Sequence, residues 1–166
     1  AIVHTDRTRK EFIQSTFHEG SVVVVPHGVI DRDIEFRPVN PRTKVQLSIF
    51  GFISSYKGYH VALKALQLLP ENYKLICMGG RHPNSTGDEY TQILGGAKAL
   101  DHGTVEHGLG RIYRLVSDRV EITGFLEEEQ ADVIHKKTDI CLAPYTDKTL
   151  SGSGALTWSI TSGRAT

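Results

Sequence analysis

Short apolar runs alternate with helical segments along this chain, and no other feature constrains its fold so strongly. The first unit reads as a strand over 2–5, a helix over 7–18 and a strand over 22–26, ending in a turn at His27 and Gly28. Residues 31–44 are charged, contain Pro38 and Pro41 and lack either periodicity, so they read as a linker. A second series follows. A strand over 45–51 ends at a glycine, and 57–69 reads as a helix with Ala62, Ala65, Leu66 and Leu69 on one face and Pro70 as its stop. Residues 73–79 form a buried strand, 88–100 a helix, and 101–110 a loop rich in glycine and histidine, with a short helix through Val116. A strand over 120–123, a helix over 127–137, a strand over 139–144 and a helix over 154–162 complete the series, with Gly163 as a C-cap. The pattern predicts a doubly wound α/β domain with a mostly parallel sheet, reaching Thr166 where its next strand begins.

The 166 residues suffice for one well-packed domain. Nineteen basic residues cancel nineteen acidic ones, which argues against a nucleic-acid or membrane-surface binder. No apolar run reaches the roughly 20 residues that span a bilayer, and the first residues lack a signal-peptide core. Cys77 and Cys141 sit inside apolar strands, so buried free thiols in a reducing, cytoplasmic compartment are expected, with a disulfide as the alternative.

Parallel sheets bind ligands beyond the carboxyl ends of their strands. Gly51, Gly79, Gly80 and Gly124 all fall at such ends, where glycine admits close backbone approach or simply makes a turn. Lys57 and Gly58 open the segment after the first of these strands. A lysine at a helix start opposes the dipole unless an anion sits there, although a solvated surface lysine is the plainer reading of the residue alone. The turn of Ser151, Gly152, Ser153 and Gly154 offers hydroxyls and free amides at a helix start, suited to capping, to phosphate, or to both. His102 and His107 lie near Asp101 and Glu106, but two further ligands at metal spacing are missing, so no metal site is expected. There is no nucleophile elbow, Walker-type loop or Cys-x-x-Cys pair. The acidic residues Glu127, Glu128 and Glu129 suit a helix N-terminus.

In order, the stretches IVHTDRTRKEF, VVVVPHGV, FGFISSYKGYHVALKAL, LICMGGRHP, VEITGFL, DICLAPYTD and SGALTWSITSGRAT resemble the C-terminal half of retaining GT-B glycosyltransferases. The group is the one related to glycogen synthases and bacterial mannosyltransferases. The resemblance implies that residues 1–40 close an N-terminal acceptor domain and that 41–166 form the Rossmann-like nucleotide-sugar domain, incomplete at its C-terminus. It implies donor contacts from Gly51, Ser54, Ser55, Lys57 and Gly58, with Lys57 on the diphosphate. Gly79, Arg81 and His82 would lie near the nucleotide, Gly124, Phe125 and Leu126 would flank the base, and Ser151, Gly152, Ser153 and Gly154 would meet phosphate oxygens. No catalytic residue is assigned.

Three positions depart from the family pattern. Phe52 stands where many members place a phosphate-binding arginine, and Ser151 and Trp158 stand where many place two glutamates seven apart. A subgroup with a Ser-Gly turn, an aromatic at the second of those positions and a Gly-x-His-Pro-like run has the same look. The implied activity is metal-independent transfer of a sugar from a nucleotide diphosphate to an acceptor hydroxyl, in glycan biosynthesis. The acceptor, a glycan or lipid-linked molecule, would be held mainly by an N-terminal half outside this chain, so the chain alone is expected to bind donor weakly and not to transfer sugar. The alternatives are a non-catalytic binding or scaffold domain of this fold, and a sugar-nucleotide epimerase or phosphorylase of the same architecture.

Overall fold

The structure is a computed structural model that describes residues 1–16, 21–29, 38–40, 43–82, 117–147 and 152–166. The helix expected over 88–100, the loop over 101–110 and Ser151 lie outside the described residues.

The N-terminal unit is a small βαβ motif. Strand β1 (Ile2–Val3) pairs in parallel with β2 (Val23–Val24), and helix α1 (Asp6–Thr16) connects them. Both strands are two residues long, shorter than the apolar runs around them suggest. Thr5 starts α1 by accepting the Thr8 backbone N–H on its hydroxyl (3.1 Å), and Asp6 complements the helix dipole. Ile2, Val23, Val25 and Val29 are exposed on this unit.

The main sheet has four parallel strands in the order β5-β4-β3-β6. These are β3 (Val45–Phe50), β4 (Tyr73–Met78), β5 (Val120–Ile122) and β6 (Ile140–Leu142). Ala165 bridges Ile140 in parallel on the far side of β6, and Cys141 N–H donates to its carbonyl (2.7 Å), so the expected next strand begins there. Counted along the described residues from β3, the strands stand third, second, first and fourth, with the Ala165 bridge in fifth place, the arrangement of a Rossmann sheet.

Alternation along β3 explains why both faces are covered. Val45, Leu47 and Ile49 join the core with helix α2 (Tyr59–Leu68), which contributes Tyr59, Ala62, Leu63 and Leu66. From the other face, Ser48 donates to Cys141 Sγ (3.7 Å), and Phe50 meets two rings edge-on. These are His135 of helix α3 (Glu128–Lys137) and Trp158 of helix α4 (Gly154–Thr161), at 5.4 and 5.0 Å between centroids. Cys77 and Cys141 are both buried and free. No helix among the described residues is long and apolar enough to cross a membrane.

The segment after β3 differs from the expected continuous helix. Ser55–Lys57 form a 3-10 turn, Gly58 takes a left-handed φ of 73°, and α2 begins only at Tyr59. That start sets the phase of the helix. Its buried face is Tyr59, Ala62, Leu63 and Leu66, while Ala65 is exposed and Leu69, the C-cap, is half-buried. At the end of α2 the buried Arg119 guanidinium donates to the carbonyls of Leu66, Leu69 and Pro70, satisfying groups the helix leaves open. The expected linker is also partly structured: Val39 packs on the core, and Thr43 donates twice to the Asn40 carbonyl. Glu127 caps α3, its N–H donating to the Gln130 side chain (3.0 Å). Ser162 is the C-cap of α4, and Gly163 follows with a left-handed φ of 68°.

Candidate functional site

The first and fourth strands of a Rossmann order send their connections to opposite sides, which leaves a crevice at their carboxyl ends. Here that point lies between β3 and β6. The loops beside it converge rather than splay. Gly51 N–H donates to the Met78 carbonyl and Ile53 N–H to the Gly80 carbonyl, both at 2.9 Å. A Cβ on Gly79 would lie 1.9 Å from the Gly51 oxygen, so only glycine lets the β3 and β4 loops touch. Tyr59 fixes the same carbonyl from below, its hydroxyl donating at 2.7 Å. Burial, then the neighbouring Cys77, Tyr145 and Tyr56, raises the Tyr59 phenol above its ordinary value and keeps it a neutral donor.

Above these loops opens a cavity of about 280 Å³, lined by Gly51, Phe52, Lys57, Gly79, Phe125 and Leu126 among others. A larger cleft of about 610 Å³ sits around Gln46, Glu121 and Asp139. It flanks the amino-terminal ends of the strands, away from the loops where parallel sheets bind ligands.

Among the described residues, Lys57 is the charged group lining the upper cavity. It is only 7% exposed, and its Nζ lies close enough to Gly51 that a Cβ there would sit 3.0 Å away. Among the described residues its hydrogen-bond partner is the Tyr145 hydroxyl (3.3 Å), and no carboxylate pairs with it. The ammonium also lies over the rings of Tyr145 and Tyr56, at 4.9 and 5.6 Å. Tyr145 in turn bonds Ser153 Oγ at 2.6 Å, and Ser153 caps α4 by accepting the Leu156 N–H at 3.2 Å. The β3 loop, the β6 loop and the start of α4 are thus joined through three side chains.

The remaining expected residues divide by position. Ser54 is 6% exposed, and its hydroxyl has no hydrogen-bond partner among the described residues. Ser55 is exposed, and its carbonyl accepts the Gly58 N–H. Arg81 bridges Ile53 across the loops, and His82 meets Phe52 edge to face at 4.8 Å. Gly124 has a left-handed φ of 74° and open space beyond its Cα, and Phe125 beside it is 71% exposed. Gly152 and Gly154 face the N-terminal unit: a Cβ on Gly154 would lie 3.6 Å from His27 Nε2, and one on Gly152 3.7 Å from its Cδ2. His27, Gly28, Gly154, Thr157, Trp158 and Thr161 line a second cavity of about 280 Å³. The Trp158 indole packs on Phe50 and donates to Asp132 (3.1 Å).

Two residues here carry no sequence signal for the site, Tyr145 and His27. Tyr145 was legible as a polar aromatic just past a strand end. His27 belongs to a turn in the sequence pattern, and nothing in its neighbourhood points to α4.

No family model matches the chain, and no curated protein matches its sequence. Solved structures do. Sucrose-phosphate synthase from Thermosynechococcus elongatus superimposes with a TM-score of 0.63 at 19% identity, over 98% of this chain and 38% of that one. HepE from Anabaena, solved in complex with UDP-glucose, gives 0.65 at 19% identity, over 98% of this chain and 42% of that one. The fold is that of the Rossmann-like half of GT-B glycosyltransferases. The chain thus spans 38% and 42% of the length of these two glycosyltransferases.

Proposed function

We propose that this chain carries the nucleotide-sugar site of a glycosyltransferase, holding the donor diphosphate at the crevice between β3 and β6 for transfer of its sugar to an acceptor hydroxyl. One observation carries this reading. Lys57 is buried at the sheet mouth without a carboxylate partner among the described residues. A cation held out of water without a counter-charge is costly, and an arriving anion offsets that cost. The start of α4 lies beside it, where free backbone N–H groups and the helix dipole also favour negative charge. The leaving diphosphate gains negative charge during transfer, so the same groups stabilise the transition state more than the bound donor. UDP-glucose in the HepE structure supports a nucleotide sugar as the ligand class.

In this reading Gly51, Ser54, Ser55, Gly58, Ser151, Gly152, Ser153 and Gly154 surround the phosphates, Gly79, Arg81 and His82 lie near the nucleotide, and Gly124, Phe125 and Leu126 flank its base. The charge is balanced by protein groups rather than by a metal. The sequence group is the one near glycogen synthases and bacterial mannosyltransferases, in the subgroup with the Ser-Gly turn. Residues 1–40 end an acceptor domain, and the exposed Ile2, Val23 and Val25 suit a surface that a larger domain covers. The glycan or lipid-linked acceptor is held there, and the free buried thiols suit the cytoplasm.

Calorimetric titration with UDP- and GDP-sugars tests the reading, with Lys57→Ala as control. Heat from one nucleotide class, lost in the variant, supports it. Phe52, an aromatic in the expected place of a cation, favours a second reading: a binding or scaffold domain that kept the fold and lost the donor. Absence of heat from every nucleotide supports that reading instead.

A further inference from the structure

The contacts joining Lys57, Tyr145 and Ser153 hold more donors than acceptors. An ammonium only donates, so the 3.3 Å contact to Tyr145 is a bond given by Lys57. The Leu156 backbone N–H also only donates, so Ser153 Oγ accepts it. Two hydroxyl protons then remain for the single 2.6 Å contact between Tyr145 and Ser153. Whichever oxygen donates across it, one hydroxyl proton is left over, as are two protons of the ammonium. Of these groups Lys57 lines the cavity over the sheet mouth, Tyr145 and Ser153 are tied to it by the contacts above, and Phe52, which also lines that cavity, supplies no charge.

We infer that Tyr145 is a positioning residue for diphosphate binding. Its hydroxyl ties the Lys57 ammonium on the β3 side of the crevice to the Ser153 hydroxyl on the β6 side, so that the protons left over point to phosphate oxygens together. The inference rests on the reading that this crevice takes a nucleoside diphosphate. It assigns the neutral Tyr145–Ser153 pair part of the work that a second cation does elsewhere. The ring of Tyr145 under the ammonium holds the lysine in place without cancelling its charge.

The experiment is calorimetric titration of the full chain with UDP and GDP. In the nucleotide that binds, Tyr145→Phe keeps the ring and loses the hydroxyl, and it weakens affinity about tenfold, as does Ser153→Ala. Because both changes break one chain of bonds, the double variant is weaker by about tenfold to twentyfold rather than by their roughly hundredfold product. Ser153 also caps α4, so two further variants separate capping from positioning. Ser153→Thr keeps cap and hydroxyl and restores binding; Ser153→Asn caps as well but brings no hydroxyl, and it does not. Wild-type affinity in Tyr145→Phe, full multiplication in the double variant, or rescue by asparagine overturns the inference while the donor-site reading stands. An unmutated chain that binds neither nucleotide removes both.

Discussion

Gly58 lies so close to Pro144 that a Cβ on it would sit 1.9 Å from the Pro144 carbonyl oxygen. The contact packs the turn that carries Lys57 directly against the loop that carries Tyr145. The left-handed φ of 73° at Gly58 adds a second reason for glycine.

Gly58→Ala is therefore expected to cost about 3 kcal/mol, from left-handed backbone strain together with overpacking against Pro144. Urea unfolding measures the loss. A cost within about 0.5 kcal/mol of zero, the range of ordinary surface changes, contradicts the packing described.

Lys57→Met keeps the length of the side chain and removes its charge. Unliganded stability is expected to hold or rise, because a buried cation without a counter-charge is lost. Affinity for the nucleoside diphosphate is expected to fall about a hundredfold, the scale of a charge-assisted contact. A stability loss with unchanged binding is the opposite result, and it makes Lys57 a structural residue.

Phe52→Arg places a cation on the exposed rim of the same cavity. Diphosphate affinity is expected to rise about tenfold, with a steeper dependence on salt. Equal affinity in the two chains shows that the bound phosphates lie out of reach of this position.

Burial lifts the Cys77 thiol from an ordinary 9.0 to about 12, and the Tyr59 phenol is raised in the same direction. Both groups fold in the neutral form. Above an ordinary thiol value of about 9 the unfolded chain has released protons that the folded chain keeps, so the unfolded state gains. Stability is full below that pH and is lost progressively as pH climbs towards 12. Urea midpoints taken upward from neutral pH are expected to decline with alkali, and less steeply in Cys77→Ala. Parallel slopes in the two chains reject the assignment.

Nucleoside diphosphate binding is expected to survive a chelator unchanged, since Lys57, Ser153 and the amides of α4 balance the charge. Titration in EDTA and then in excess magnesium checks this. A gain above about tenfold with magnesium assigns part of that charge to a metal.

Among the described residues the order of strands and helices was legible in the sequence because each depends on neighbours a few residues away. Apolar alternation marks Val45–Phe50 and Tyr73–Met78, and Gly163 lies just past α4 as its turn chemistry requires. The glycines at Gly51, Gly79 and Gly124 were also legible, as turn residues at strand ends. Ala65, by contrast, shares the apolar face of Ala62 and Leu66 in the sequence pattern and is exposed, since the phase of α2 is fixed by the left-handed Gly58 and by Tyr59 seated under the Gly51 carbonyl.

Among the described residues the amino-acid order alone therefore marked which segments become strands and which become helices, although it read the turn at Lys57 and Gly58 as the start of a helix. Only the tertiary structure decided that Lys57 is buried, that it meets Tyr145 across 88 residues of sequence, and that His27 faces Gly154. The physical reason is the strand order. It seats β6 against β3 and brings together loops that no local pattern connects, so a lysine that reads as a surface charge becomes a buried cation beside a helix start.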